Sequence, residues 1–154
     1  MYAELVRARK PTAKATIHSV HASSYLWTDI QNLLKKCETE RAEFATWTQQ
    51  IDAGLCTGSV IVLAAQVYQG RNQVTVGYSI INVAGHEIES MWVAPEVKGL
   101  GVIDQLYGLS AVNIGTATPS ASFPPEMRAE AEGLCKRLGG TLTEDKDRGV
   151  LILK

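Results

Sequence analysis

The chain has 154 residues, of which 45% are hydrophobic and 20% are charged, and this length and composition predict one globular domain over residues 1–154. Its 15 basic and 16 acidic side chains give a formal net charge of −1, so the charge balance indicates neither a nucleic-acid nor a membrane partner. The longest strongly apolar run, Val60–Ala65, is too short to span a bilayer.

The three cysteines, Cys37, Cys56 and Cys135, are widely spaced and odd in number. They fit neither a disulfide framework nor a zinc site, and the two histidines near the first helix have no partners at metal-ligand spacing. Because the N-terminus also lacks a signal-type apolar stretch, we expect a cytoplasmic protein without a bound metal.

Strand and helix patterns follow each other in the N-terminal part. Tyr2–Arg9 and Ala15–Val20 are each predicted to form a short strand. Apolar residues then recur every three or four positions over residues 26–37, which predicts an amphipathic helix. A second helix is predicted to begin after an N-cap at Thr39 and to end at Gly54.

Three strands are predicted to follow in quick succession. Ser59–Val67 is continuously apolar, which is typical of a buried central strand, whereas Gln73–Val83 and His86–Ala94 alternate apolar and polar residues. After a turn at Gly99 and Gly101, the apolar residues again recur at helical spacing.

The C-terminal part predicts a strand within Ala111–Pro119, a helix from Pro124–Pro125 to about Leu138, and a hairpin of Thr141–Leu142 with Val150–Leu153. The order of elements predicts an α/β fold with a central, mixed but mostly antiparallel sheet flanked by helices.

The segment Met91–Leu106 joins a strand, a proline, a glycine-bearing loop and a helix. This geometry points several backbone N–H groups at one spot, where the helix dipole also attracts an anion. Gly99 and Gly101 have no Cβ and allow a phosphate close to the main chain, while Lys98 adds a positive charge. The alternative interpretation is that both glycines are simply turn residues.

The segment resembles a motif of the GCN5-related N-acetyltransferases, Val-x-Pro-x-x-Arg/Gln-x-x-Gly-x-Gly/Ala-x-x-Leu. The matching positions are Val93, Pro95, Lys98, Gly101, Ile103 and Leu106. The resemblance implies that family's acyl-CoA N-acyltransferase fold for most of the chain, with acetyl-CoA as co-substrate. It also implies that the pantetheine arm binds the backbone of Met91, Trp92 and Val93, and that the pyrophosphate binds the loop amides of Lys98, Gly99, Leu100, Gly101, Val102 and Ile103.

Two positions depart from the family's motif. Lys98 stands where the family prefers Arg or Gln, so the charge is kept but the planar guanidinium fork is lost. Ile103 stands where Gly or Ala is usual, and its β-branched side chain is expected to crowd the diphosphate.

Three residues are the main candidates for proton transfer, with His86 as a weaker one on the other face of the strand and Tyr78 and Tyr107 as alternative proton donors. Glu87 and Glu89 lie two apart on a predicted strand and should share one face. By resemblance, a glutamate here acts as the base, usually through water; the alternative is that both are solvated surface residues. Cys135 stands where the family has an acidic tyrosine in the last helix. A thiol with an ordinary pKa near 8.5 could act as the acid, although a buried, inert cysteine is the other interpretation.

The resemblance therefore implies transfer of an acetyl group to a primary amine. Direct attack in a ternary complex is expected, because the sequence shows no activated Ser or Cys nucleophile. The expected acceptor is a small-molecule or protein amine, and a homodimer is compatible with the sequence. The alternative is a non-catalytic GNAT-like binding or structural module of the kind found among phage proteins, which Ile103 and the missing tyrosine favour.

Overall fold

The computed structural model describes residues 15–154. Its seven strands belong to one sheet in the order β1-β2-β3-β4-β5-β7-β6. Neighbouring strands are antiparallel except for β4 and β5, which are parallel. The strands are β1 Thr16–Ser19, β2 Val60–Gln69, β3 Asn72–Asn82, β4 Glu87–Val93, β5 Ser120–Phe123, β6 Leu142–Asp145 and β7 Val150–Leu153.

Helices cover both faces of this sheet. They are α1 Tyr25–Cys37, α2 Phe44–Thr57, α3 Val102–Ile114 and α4 Arg128–Leu138, with single 3-10 turns at Pro95–Val97 and Pro125–Met127. Gly77 and Ser79 of β3 face α3, because the Ser79 hydroxyl lies 2.7 Å from that of Ser110 and a Cβ on Gly77 would lie 3.1 Å from Leu106. Tyr78, between them, faces the C-terminal end of α1, so α1 and α3 lie on opposite faces.

The centre of the sheet is buried from both sides. In β2 the residues from Val62 to Val67 are buried, as are those from Val74 to Ile81 in β3. A strand covered on both faces is expected to be almost continuously apolar, as the sequence of β2 is. This confirms the predicted buried central strand, and the sheet order confirms the predicted mixed, mostly antiparallel α/β architecture.

The predicted bounds of the second helix are wrong. Residues 38–43 form a loop instead of a first helical turn, because Arg41 is buried there between Glu38 and the ring of Trp47. The helix also runs past Gly54 to Thr57. Gly54 packs closely against Val60, since a Cβ added to it would lie 2.3 Å from Val60 Cγ2. The glycine is therefore explained by this close contact and not by the end of the helix.

The strand predicted within Ala111–Pro119 is also misplaced. Helix α3 continues to Ile114 and ends at Gly115, which adopts a left-handed conformation with φ of 84°. The strand is Ser120–Phe123, whose residues gain hydrogen-bonded partners in β7. The remaining predicted strands and helices are present, and the predicted strand Tyr2–Arg9 lies outside the described residues.

Candidate functional site

Strands β4 and β5 pair only at their beginnings. The parallel ladder joins Glu87 to Ser120 and Ile88 to Ala121, and no further pair is formed as β4 continues to Val93. The two strands therefore separate towards the C-terminal end of β4. The sequence explains part of this separation, since Phe123 is followed by two prolines, which have no N–H group to continue a ladder.

The free edge of β4 exposes backbone polar groups to this gap. The amide of Ala94 donates to the carbonyl of Val76 in β3, at 2.7 Å. Because backbone groups alternate in direction along a strand, those of Met91 and Val93 face the gap and those of Trp92 face β3. The gap thus offers donors and acceptors from two of the three predicted pantetheine-binding residues.

The glycine turn forms one wall of a cleft of about 480 Å³ at the end of β4. The amides of Lys98 and Leu100 donate to Pro95 and Val97 at 3.2 Å each. Within residues 15–154, the amides of Gly99, Gly101, Val102 and Ile103 have no acceptor. The last two belong to the first turn of α3, where intrahelical acceptors are missing. Four main-chain donors in and just after the turn are therefore without an acceptor in the described part of the chain.

Both cations in this cleft already have carboxylate partners. Lys98 Nζ lies 2.6 Å from Oε1 of Glu130 on α4, and Arg137 Nη2 lies 2.9 Å from Oδ1 of Asp104. The Arg137 pair is about half exposed, so solvent screens it. Glu130 is different: its side chain is only 11% exposed, and neither carboxylate oxygen has a donor in good hydrogen-bonding geometry. An incoming anion must therefore compete with Glu130 for Lys98.

Ile103 lies in the same cleft, half-buried against the core. It occupies the second position of α3, beside the amides that lack acceptors. Its side chain therefore lines the cleft that the sequence motif predicts for a diphosphate.

A β-bulge in β4 sets the position of Glu89. Ile80 pairs with Ser90 and Ile81 pairs with Ile88, so Glu89 is the extra residue. Such a bulge re-aims a side chain and interrupts the simple alternation of faces. Glu89 therefore differs from Glu87 in its backbone pairing, since Glu87 lies opposite Asn82 whereas Glu89 has no partner of its own in β3.

The carboxylate of Glu89 is held by two donors. Trp47 Nε1 donates to Oε2 at 3.0 Å and Asn82 Nδ2 donates to Oε1 at 3.2 Å. Arg41 Nη2 donates to the backbone carbonyl of Glu89 at 2.8 Å. The two side-chain donors orient the half-buried carboxylate, and Arg41 holds the backbone that carries it.

Glu89 borders a second cleft, of about 200 Å³. Its other walls are the loop between α1 and α2, the first turns of α2, and the β6–β7 loop. The residues that line it are Arg41, Ala42, Glu43, Thr46, Trp47, Gln50, Glu89 and Arg148. Glu43, at the start of α2, has φ of 52°, a conformation that is uncommon for a non-glycine residue and is often found at functional sites.

A buried polar cluster lies beneath β4, beside this cleft. Ser90 donates its hydroxyl proton to Glu38, and Arg41 lies 3.7 Å from the same carboxylate. Burial raises the pKa of Glu38, and Arg41 and Ser90 oppose that shift. Burial likewise raises the pKa of Tyr78 well above its usual value, so its hydroxyl stays protonated. The sequence analysis missed this cluster, because Glu38 and Ser90 are 52 positions apart.

The other predicted residues lie away from these contacts. Glu87 is at the start of β4, and its side chain makes no hydrogen bond or ion pair with another residue that the structure describes. Cys135 is buried in α4 and lies 3.9 Å from where a Cβ of Gly140 would be. It borders a depression on α4 and lines neither the glycine-turn cleft nor the Glu89 cleft.

A third and larger cleft, of about 610 Å³, lies between α1 and the β2–β3 hairpin. It is lined by none of the residues that the sequence analysis predicts for the site. Among residues 15–154, no cluster of His, Cys, Asp or Glu is arranged to hold a metal ion. No helix in that range is long and apolar enough to cross a membrane.

No protein-family model and no curated protein sequence matches the chain. Among solved structures, it is similar to a protein of Klebsiella pneumoniae provisionally assigned as an acyl-CoA N-acyltransferase, with a TM-score of 0.57 and 15% identity over 90% of this chain and 94% of that one. It is also similar to the spermidine/spermine N-acetyltransferase SpeG of Vibrio cholerae, with a TM-score of 0.54 and 13% identity over 91% of each chain. At these identities the likeness establishes the fold.

Proposed function

The chain has the fold of the GCN5-related N-acetyltransferases, as a divergent example, and from this premise we propose that it transfers an acetyl group from acetyl-CoA to a primary amine. The observation that carries the proposal is the gap between β4 and β5, which opens beside four main-chain amides without acceptors. A pantetheine arm in that gap and a diphosphate at the turn would satisfy both sets of polar groups.

In this proposal the loop amides and Lys98 hold the diphosphate of acetyl-CoA. The backbone groups of Met91 and Val93 orient the pantetheine arm along β4. In this arrangement the thioester lies at the closed end of the gap, beside the bulge at Glu89. Binding two substrates in one orientation supplies much of the rate enhancement for a bimolecular reaction.

Glu89 is the proposed base. An amine must lose a proton to attack the thioester carbonyl, and Glu89 can accept that proton through a water molecule. The amine nitrogen then bonds to the acetyl carbon, and the thiolate of CoA leaves and takes up a proton. Cys135 stays a prediction as the donor of that second proton. It lines neither the glycine-turn cleft nor the Glu89 cleft.

The alternative is a non-catalytic binding or structural module. The ion pair between Lys98 and Glu130 favours it, because a carboxylate already occupies the cation of the proposed cofactor site. Ile103 also favours it, because a β-branched side chain lines that cleft where the family motif has Gly or Ala.

Acetyl-CoA binding is the first test. We expect saturable binding in calorimetry and a higher unfolding temperature in its presence. At 100 times Kd a ligand adds about 2.7 kcal/mol to the free energy of unfolding, which corresponds to several degrees for a chain of this size. The absence of both signals at millimolar acetyl-CoA contradicts the proposal. Binding without release of CoA thiol for any amine supports the module.

Replacing Glu130 with glutamine is expected to tighten CoA binding by roughly three- to tenfold. The substitution keeps the side chain's shape but removes the charge that competes for Lys98. Calorimetric titration with CoA measures the change. Glu132→Gln is the matched control, because it removes one charge from the same helix without touching Lys98. Equal effects of the two substitutions would mean that net charge, and not the pair with Lys98, governs affinity.

A further inference from the structure

The Glu89 cleft is closed by contact between two loops that are far apart in sequence. The amide of Ala42 donates to the carbonyl of Arg148 at 3.1 Å. Next to it, Gly149 lies so close to the Glu40 carbonyl that an added Cβ would overlap with its oxygen. These contacts tie the β6–β7 loop to the α1–α2 loop, and Arg148 lines the same cleft as Glu89.

The two arginines of this cleft differ in their partners. Arg41 is buried, and three groups of the protein contact its guanidinium. It lies 3.7 Å from the Glu38 carboxylate and 3.8 Å from the centre of the Trp47 ring, and it donates a hydrogen bond to the Glu89 carbonyl. Arg148 is exposed, and its guanidinium has no hydrogen bond or ion pair with any described residue.

Neither carboxylate of the cleft neutralises Arg148. Glu43 and Glu89 both line the cleft with it, yet neither forms an ion pair with it in the described part of the chain. The pKa of Arg41 is lowered by its burial and, in addition, by the nearby positive charge of Arg148. The cleft is thus lined by the positive charge of Arg148, which pairs with no described carboxylate, and by the Glu89 carboxylate, which two donors orient.

We infer that the acceptor is a small amine that also carries an anionic group, such as the carboxylate of a free amino acid or a phosphate. The inference rests on the proposed function and names the class of its acceptor. The amine lies at Glu89, the proposed base, and the anionic group pairs with Arg148. A guanidinium binds carboxylate or phosphate through two parallel N–H groups, which also fixes orientation.

The size of the cleft favours a small acceptor. Its volume of about 200 Å³ is less than half the 480 Å³ of the glycine-turn cleft. A polycationic amine would instead bring further positive charge towards Arg148 and Arg41.

The test compares small α-amino acids with their carboxamides as acceptors, by release of CoA thiol. The carboxamide has nearly the same shape as the acid but lacks its negative charge. The amine of the carboxamide is less basic than that of the acid and loses its proton more easily, so amine basicity cannot explain a preference for the acid. We expect kcat/KM to be at least about tenfold higher for the acid. Arg148→Gln should lower kcat/KM for the acid by about tenfold, mainly through KM, and should leave the carboxamide unaffected.

Lys146→Gln is the matched control, because Lys146 is exposed on the same loop but does not line the cleft. Equal rates for acid and carboxamide, or equal losses for both in Arg148→Gln, overturn the inference and leave acetyl transfer intact. If no acceptor is acetylated, the proposed acetyl transfer is contradicted. NMR titration with the same amino acids then tests the proposed anion subsite at Arg148 without any turnover. Binding that Arg148→Gln weakens supports an anion subsite, whereas no binding overturns it.

Discussion

Glu89→Gln is expected to lower kcat for acetyl transfer by roughly 10²–10⁴-fold, the usual contribution of a positioned general base. Glutamine retains the size of the side chain but cannot accept the proton of the attacking amine. It also disturbs one of the two hydrogen bonds from Trp47 and Asn82, since an amide has only one acceptor oxygen. Initial rates at saturating acetyl-CoA measure the loss.

Glu87→Gln is the matched control for Glu89. Glu87 lies two residues away on the same strand, and its side chain has no hydrogen-bond or ion-pair partner within the described residues, so its substitution should change kcat little. CoA affinity should be unchanged in both variants, because neither residue lines the glycine-turn cleft. The assignment is wrong if the loss follows Glu87, or if both variants retain full activity.

Gly149→Ala is expected to destabilise the fold by about 2–4 kcal/mol and so to lower the unfolding temperature by roughly 5–15 °C. Gly149 has φ of 70°, and its Cβ would lie 1.9 Å from the oxygen and 2.7 Å from the carbon of the Glu40 carbonyl. The neighbouring atoms are backbone, so they cannot give way by a change of rotamer. The β6–β7 loop must move away from the α1–α2 loop.

Gly139→Ala separates this contact from backbone strain. Gly139 has nearly the same φ, 71°, but its Cβ would meet no atom within 4 Å. That substitution should cost only the left-handed conformation, about 1 kcal/mol. Thermal unfolding of both variants gives the difference. Similar losses would show that the two loops are not tightly held together, and the position of Arg148 would then lose its support.

Local patterns were sufficient for most of the strands and helices. The periodicity of residues 26–37 predicted α1, and the continuous apolar run after Ser59 predicted β2, because each pattern reports which side of an element is buried. The glycine turn at Gly99 and Gly101 was likewise visible in the sequence, and both residues have positive φ. Such turns are local, since their geometry depends on a few neighbouring dihedral angles.

The start of α2 shows where local patterns failed. Thr39 has the chemistry of an N-cap, yet residues 38–43 form a loop. The guanidinium of Arg41 packs against Trp47 and donates to Glu89, 48 positions away, and these contacts outweigh the local preference. Propensity within the segment contains no information about so distant a partner.

The sequence by itself determined the order of elements, the sheet class and the glycine turn between β4 and α3, because hydrogen bonds and burial periodicity over a few residues specify each of them. Only the tertiary structure separated Glu89 from Glu87, paired Lys98 with Glu130, and brought Arg148 to the Glu89 cleft. A bulge, an ion pair between a loop and a helix, and a contact between two loops all depend on how distant segments pack together. That packing decides which of several chemically equivalent side chains belong to the site.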